Sequence, residues 1–233
     1  MALLVLYVLI MTLYHSRSDN IVRQLHPIGN SQFNEIIVNG VFNVQLIQSE
    51  SETSVEIEAS KDVQNHFVVD IQNTSILSIR MIPNYSFSSK IIVYIKFKDL
   101  KQYNMENMVG NTNSTNEIKQ NQKFILYSKG TGNVNLKLNV PLFEAHVYTT
   151  GQHILNGQVQ NEATIVYRGV GDIDALNLVT KKMNVNANGV GNIRIMATDE
   201  INIDVSGVTT VFYKGPLNNQ KKYGLGRVVP LLF

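Results

Sequence analysis

The stretch Gly169-Val-Gly-Asp-Ile173 returns 20 residues later as Gly189-Val-Gly-Asn-Ile193. A Gly-x-Gly before an aliphatic residue admits three chemistries: a turn that cradles a nucleotide phosphate, a calcium loop, or the corner of a structural repeat. The nucleotide turn needs a helix directly after it, whose N-terminal amides hold the phosphate. Strand-like alternation follows here instead. A toxin-type calcium loop recurs about every nine residues with an Asp each time, whereas the position after the second glycine holds Asn133, Asp172 and Asn192. An outward stack of Asn and Asp side chains on a repeat accounts for these residues without a bound ion.

Other candidates for chemistry are sparse. The histidines His15, His26, His66, His146 and His153 show no metal-ligand spacing, and no Gly-x-Ser-x-Gly elbow singles out a serine. Cleavage of a polysaccharide on a β-helical scaffold requires carboxylates gathered on one face as general acid and base. The candidates are Asp172, Asp174, Asp199, Glu200 and Asp204. Asp199-Glu200 reads as a turn, and Asp172 and Asp204 fall on outward positions of different units, where a solvated strand face explains them. The reading carries no catalytic residue, no metal and no cofactor.

The elements that position these residues follow from the repeat. With Gly132, Gly171 and Gly191 in register and Gly151 between them, inward columns recur two residues apart. One holds Phe124, Phe143, Ala163, Met183 and Ile201; the next Leu126, Ala145, Ile165, Val185 and Ile203; the next Ser128, Val147, Tyr167, Ala187 and Val205. A small-residue column follows with Gly130, Thr149, Gly169, Gly189 and Gly207, and beyond the second glycine come Val134, Ile173, Ile193 and Val211. In the unit "TTGQHIL" the spacing assigns Ile154 or Leu155 to that last column. A period near 20 with alternation of two inside it predicts a β-solenoid, in which stacked units build one core. The glycines mark a point where neighbouring rungs approach too closely for a Cβ. "MENMVGN" (105–111) reads as a degenerate first unit and "KKYGLGRV" (221–228) as a last one.

The first half alternates as strands: Phe42, Val44, Leu46; Val55, Ile57, Ala59; Phe67, Val69, Ile71; Leu77, Ile79, Met81. "KIIVYIKF" (90–97) is apolar on both faces, as for a strand covered on both sides. "KDVQNHF" (61–67) suits one helical turn, and the polar run Val109 to Gln122 reads as the least ordered internal stretch. The fold class is all-β: a β-solenoid, or β-helix-like stack, of about 20-residue Gly-x-Gly repeats over 104–228, preceded by an antiparallel-type β region over 30–103 and continuous with it as one domain.

Composition agrees. The charged fraction of 16% is low and the formal charge is only +2, so no basic face for nucleic acid is expected; Lys181-Lys182 and Lys221-Lys222 read as solvated turns. The uncharged run Ala2 to Tyr14 is too short to span a bilayer but has the length of a secretory core segment, so residues 1–18 read as a signal peptide and the mature chain carries no membrane span. There is no cysteine, so packing and backbone ladders must hold the protein without disulfides. Asn73, Asn84 and Asn113 open Asn-x-Ser/Thr sequons.

At "FNEIIVNGVFNVQLIQSESETSVEIEAS", "KIIVYIKFKDLKQYNM", the Gly-x-Gly-(Asn/Asp)-(Ile/Val) units and the closing "YKGP…GLGRV", the chain resembles the putative auto-transporter adhesin head GIN domain family, from about Phe33 to Val228. It departs from the pattern at Thr209, in the unit "TTGQHI", and in the polar insertion 109–122. The resemblance implies a secreted or surface protein with a β-helix-like stack and no catalytic residues to transfer. The expectation is a secreted or cell-surface, non-enzymatic adhesin that presents polar ladders to a glycan or an extracellular protein. A polysaccharide-cleaving enzyme and a structural envelope component without a dedicated ligand are the alternatives.

Overall fold

The computed structural model describes residues 20–29, 32–82 and 90–231. The expected signal peptide, His15, Asn84 and the last two residues of "VVPLLF" lie outside them. The strands are β1 (Ile21–His26), β2 (Glu35–Asn39), β3 (Asn43–Gln48), β4 (Ser54–Ser60), β5 (Phe67–Gln72), β6 (Ile76–Met81), β7 (Ile92–Phe97), β8 (Gln102–Val109) and β9 (Thr112–Ser114). There follow β10 (Ile118–Lys119), β11 (Phe124–Thr131), β12 (Val134–Thr150), β13 (His153–Tyr167), β14 (Ile173–Ala175), β15 (Leu178–Met196), β16 (Glu200–Lys214), β17 (Leu217–Lys222) and β18 (Arg227–Pro230). Among the described residues the single helical turn, α1, is Lys61–Gln64. Among the described residues no helix is long and apolar enough to cross a membrane.

The long strands β12, β13, β15 and β16 run around the solenoid rather than straight. Each leaves one parallel sheet and enters another, β15 and β16 at the glycine corner and β12 and β13 at the register shifts after Val140 and Val159. The first sheet stacks β6, β2, β8, β11, the ends of β12 and β13, residues 182–187 of β15, the start of β16, and β17, all parallel. The second stacks β7, β3, β9, the starts of β12 and β13, β14, the ends of β15 and β16, and β18. The three inward columns hold as read: Phe124 pairs with Phe143, Phe143 with Ala163, Ala163 with Met183 and Met183 with Ile201. All five are buried. Parallel strands leave no side chain free to slip by one residue, since a slip would turn this whole column to water.

Antiparallel pairing is confined to one end. β4 runs antiparallel to β7, β1 to β4, and β5 to β6. β2 and β3 belong to the parallel stack, which therefore reaches back well before residue 104. The order is not that of the chain, because β6 and β7 lie on the far side of β2 and β3 from β8 and β9. Gln64 of α1 stitches this end together: its Nε2 donates to the carbonyls of Val22 (3.0 Å) and Ile57 (2.8 Å). At the other end β17 and β18 leave a parallel edge. There Gln220 and Lys222 pair with the inward Ile203 and Val205, so polar groups sit where the core would otherwise continue, which blunts the edge.

Three expectations are corrected. His153, not Ile154 or Leu155, pairs with Val134 and Ile173 in the inward column, with Leu155 two residues on opposite Leu136. The run 109–122 is a rung with β9 and β10, because Thr112, Ile118 and Gln120 turn inward and are buried. Gln120 is satisfied by accepting from the Leu100 amide (2.9 Å) and donating to the Leu100 carbonyl (2.9 Å). β7 is not covered by a second layer. It lies between β3 and β4 in one sheet, and Tyr94 is shielded by the Arg23 guanidinium, 3.8 Å from its ring centroid.

Candidate functional site on the outward face of the first sheet

The corner between the sheets is set by glycine. Gly151, Gly171 and Gly191 have φ of 149°, 133° and 145°, and a Cβ on Gly191 would meet the Gly171 carbonyl oxygen at 1.9 Å. Gly130, Gly132, Gly169, Gly189 and Gly207 stack at the same corner, each against backbone of the preceding rung or the side chain below it. Thr209 takes the last place in the second column; it is buried, and its Oγ1 accepts from the Gly189 amide at 3.2 Å.

Directly after the corner the predicted Asn/Asp stack is present. Asn43, Asn111 and Asn133 each use Oδ1 to accept the backbone N–H of the residue one rung on, at 3.0, 2.9 and 2.8 Å, and Asp172 does the same for Asn192 at 2.8 Å. These oxygens are committed to backbone donors, which accounts for the residue type without a cation.

The outward face of the first sheet is a regular, mostly polar surface. One row runs Gln102, Ile125, Glu144, Thr164, Asn184, Asn202, Asn219, and the next Asn104, Tyr127, His146, Val166, Asn186, Asp204, Lys221. The middle is aromatic: the Tyr127 and His146 rings stack with centroids 4.5 Å apart and planes 8° apart, and Tyr148 lies 6.4 Å from His146. His146 Nε2 is 2.6 Å from Glu144 Oε1, and Lys123 pairs with the other oxygen. The Lys123 hydrogen bond, aided by His146, holds the Glu144 carboxyl below its usual range against the opposing effect of burial. This fixes the aromatic platform in place.

Toward the C-terminal end the face becomes amide-rich. Asn202 Nδ2 donates to Asn184 Oδ1 (2.9 Å) and Glu200 Oε1 (2.7 Å), while Asn218 Nδ2 reaches Asn202 Oδ1 at 3.3 Å. The hydrogen bond from Asn202 is the main reason the Glu200 carboxyl lies below its ordinary range. Asn184, Asn186, Asn202, Asp204, Asn219 and Lys221 line a shallow groove here. A second, lined by Gln102, Asn104, Glu106, Tyr127 and Lys129, flanks the aromatic pair on the other side.

The five carboxylates weighed for catalysis do not converge. Asp172 and Asp174 belong to the second sheet and its corner, Glu200 and Asp204 to the first, and Asp199 to the turn that joins rungs. Asp172 is 4.0 Å from Arg194 and bonded to Asn192. Asn73 sits exposed in the β5–β6 turn with φ of 48°, and Asn113 lies half-buried in β9.

The group that sequence reasoning missed is inside. His153 is fully buried, with Nε2 3.0 Å from Ser128 Oγ, and Ser128 Oγ lies 3.6 Å from Met105 Sδ. Tyr103 and Thr112 hydroxyls meet at 2.9 Å in the same core. His153 Nδ1 and Thr149 Oγ1, also buried, have no protein partner. Loss of hydration pushes the His153 imidazole down to about 4, so it is neutral. Its position two residues after Gly151, as Ile173 follows Gly171, was the signal that could have found it.

The family model for the putative auto-transporter adhesin, head GIN domain, matches residues 32–216. The chain belongs to that family. The fold recurs in solved structures. A putative adhesin from Bacteroides fragilis is similar with a TM-score of 0.84 at 24% identity, over 92% of this chain and 98% of that one. A putative lipid binding protein from Parabacteroides distasonis is similar with a TM-score of 0.70 at 17% identity, over 92% and 98%. A putative adhesin from Parabacteroides merdae gives 0.57 at 22% identity over the same shares. No curated protein is significantly similar to the chain. Membership of the head GIN family supports an adhesin-like, non-enzymatic role.

Proposed function

We propose that the chain acts as a secreted or cell-surface adhesin that binds a glycan along the outward face of the first sheet. The observation that carries the reading is an aromatic platform, Tyr127 on His146, on the same face as the hydrogen-bonded amides Asn184 and Asn202. Amides donate and accept at once, as sugar hydroxyls do, and a stacked ring pair offers the C–H face of a pyranose a flat apolar support. Rows on parallel strands are about 4.8 Å apart, and the backbone ladder holds them without ligand. Several weak contacts then add with little ordering cost. The names of the family and of the neighbouring adhesins support the adhesin-like part of this reading.

The test is an array of glycans and extracellular-matrix proteins probed with the chain from about residue 19, next to Tyr127→Ala and Asn202→Ala variants and a Gly171→Val/Gly191→Val folding control. Glycan binding lost in all three supports the reading. Binding that persists in the two face variants would move the site elsewhere. Binding only to matrix proteins would replace the glycan by a protein partner. No binding by a chain whose fold is confirmed by circular dichroism would favour a structural role.

A further inference from the structure

The middle residue of each corner, which has a glycine on each side at Thr131, Val170 and Val190, points to solvent and lines up from rung to rung. Val41, Val109, Thr131, Thr150, Val170, Val190 and Val208 form one unbroken parallel series of pairings. All seven are exposed, the valines by 44% to 55%. At roughly 4.8 Å per step the ridge is about 29 Å long. Preference for extended backbone explains why every member is β-branched. It does not explain why five are Val and none is charged or an amide, when the outward rows on either side are mostly Asn, Asp, Gln, Lys and Arg, with Tyr148, Ser206 and Thr210 among them. Aliphatic side chains repeated along one exposed line are the mark of a covered surface.

The flanks of the ridge indicate what covers it. On the first-sheet side stand Lys129, Tyr148 and Arg168; on the second-sheet side, in the same rungs, Asn133, Gln152 and Asp172. Neither Lys129 nor Arg168 makes an ion pair among the described residues. A two-fold axis parallel to the solenoid axis brings ridge to ridge at every rung and sets the left flank of one copy against the right flank of the other. Arg168 then faces the second copy's Asp172, Lys129 its Asn133 and Tyr148 its Gln152, with no like charges opposed over these rungs. The opposite orientation, with copies antiparallel and centred on the Thr150 or Val170 rung, opposes Lys129 to Arg168 or Arg168 to itself.

We propose that the chain self-associates side by side and in parallel through this Val/Thr ridge, with a second copy of itself as the partner. Seven half-exposed small side chains fall well short of the roughly 800 Å² per partner of a stable dimer, so the association is weak and concentration-dependent. It takes in Lys129 and Tyr148 at the edge of the first sheet's outward face and leaves the Tyr127–His146 pair and the amides Asn184 and Asn202 open in both copies, and it holds whether or not that face binds a glycan.

The absence of cysteine from the chain makes the test direct. Val109→Cys, Val170→Cys and Val208→Cys variants are treated separately with a short bis-maleimide at increasing protein concentration, with Lys137→Cys on the outward face of the second sheet as the control. Parallel docking predicts a covalent dimer from all three ridge variants, at least tenfold more than from Lys137→Cys, and its loss when Val190→Glu is added. Crosslinking at Val170 alone would indicate an antiparallel contact and overturn the proposal. So would yields no higher than the control. Sedimentation velocity of the unmodified chain and of Val190→Glu checks the same point without a reagent. Monomers of equal size at every concentration, with ridge-dependent binding to phospholipid vesicles instead, would assign the ridge to a lipid surface and also overturn it.

Discussion

His153 Nε2 lies 3.0 Å from Ser128 Oγ in the middle of an otherwise aliphatic column, and the imidazole is neutral because burial has depressed its affinity for a proton to about 4. The unfolded chain regains the ordinary value near 6.5. The folded state therefore binds fewer protons below that value, so stability is full above about pH 6.5 and falls as the pH drops toward 4. The loss from this one group is on the order of 3 kcal/mol at the lower limit. Thermal unfolding followed from pH 7 to pH 4.5 will show a steeper fall for the natural chain than for His153→Val, which puts in the residue type that Val134 has in the same column.

The glycine corner predicts a graded series. Gly191→Ala places a Cβ 1.9 Å from a backbone oxygen that cannot swing away, and is expected to cost about 3 kcal/mol or more. Gly29→Ala has φ of 62° but nothing within 4 Å, so only the backbone penalty of about 1 kcal/mol applies. Urea midpoints of the two variants separate steric contact from backbone conformation.

Asp172 donates nothing and accepts twice from Asn192, at 2.8 Å from the amide and 3.1 Å from the side chain. Asp172→Ala strands a backbone N–H and is expected to cost about 1 to 2 kcal/mol. Asp172→Asn keeps an oxygen in place and should lie within about 0.5 kcal/mol of the natural chain. A loss of similar size in both variants would show that charge, not the amide bond, is what the position supplies.

Gln220 and Lys222 occupy inward positions opposite Ile203 and Val205. Changing both to Val extends the apolar column to an open parallel edge. Light scattering should then show large, concentration-dependent aggregates at neutral pH, while the natural chain goes no further than its weak side-by-side association.

The columns were legible because period-two alternation and a 20-residue spacing reinforce each other: Phe124, Phe143, Ala163, Met183 and Ile201 could be aligned from their glycines alone. His153 was not, because its polar type argues against an inward position that its spacing requires. The rung at 109–122 was hidden for the same reason, since Thr112 and Gln120 look solvated until Tyr103 and Leu100 supply their partners. The outward rows of Asn184, Asn186 and Asn202 were legible as polar positions. Their union with Tyr127 and His146 into one face depends on the offset between rungs, which the sequence does not display. The exposed Val170 and Val190 stood in plain view between their glycines, but a search for inward columns passes over them.

Because β2 is flanked by β6 on one side and β8 on the other, the earliest strand of the stack has no partner for its edges until residues 76–80 and 102–105 have been made. A chain emerging from its N-terminus thus offers little to fold until about the hundredth residue, and from then on each further 20 or so residues meet a finished template. Assembly has a long silent phase and then a zipper-like advance toward the C-terminus. A premature stop early in the chain leaves no partial product worth keeping, whereas one near residue 200 leaves an almost complete molecule with a sticky end.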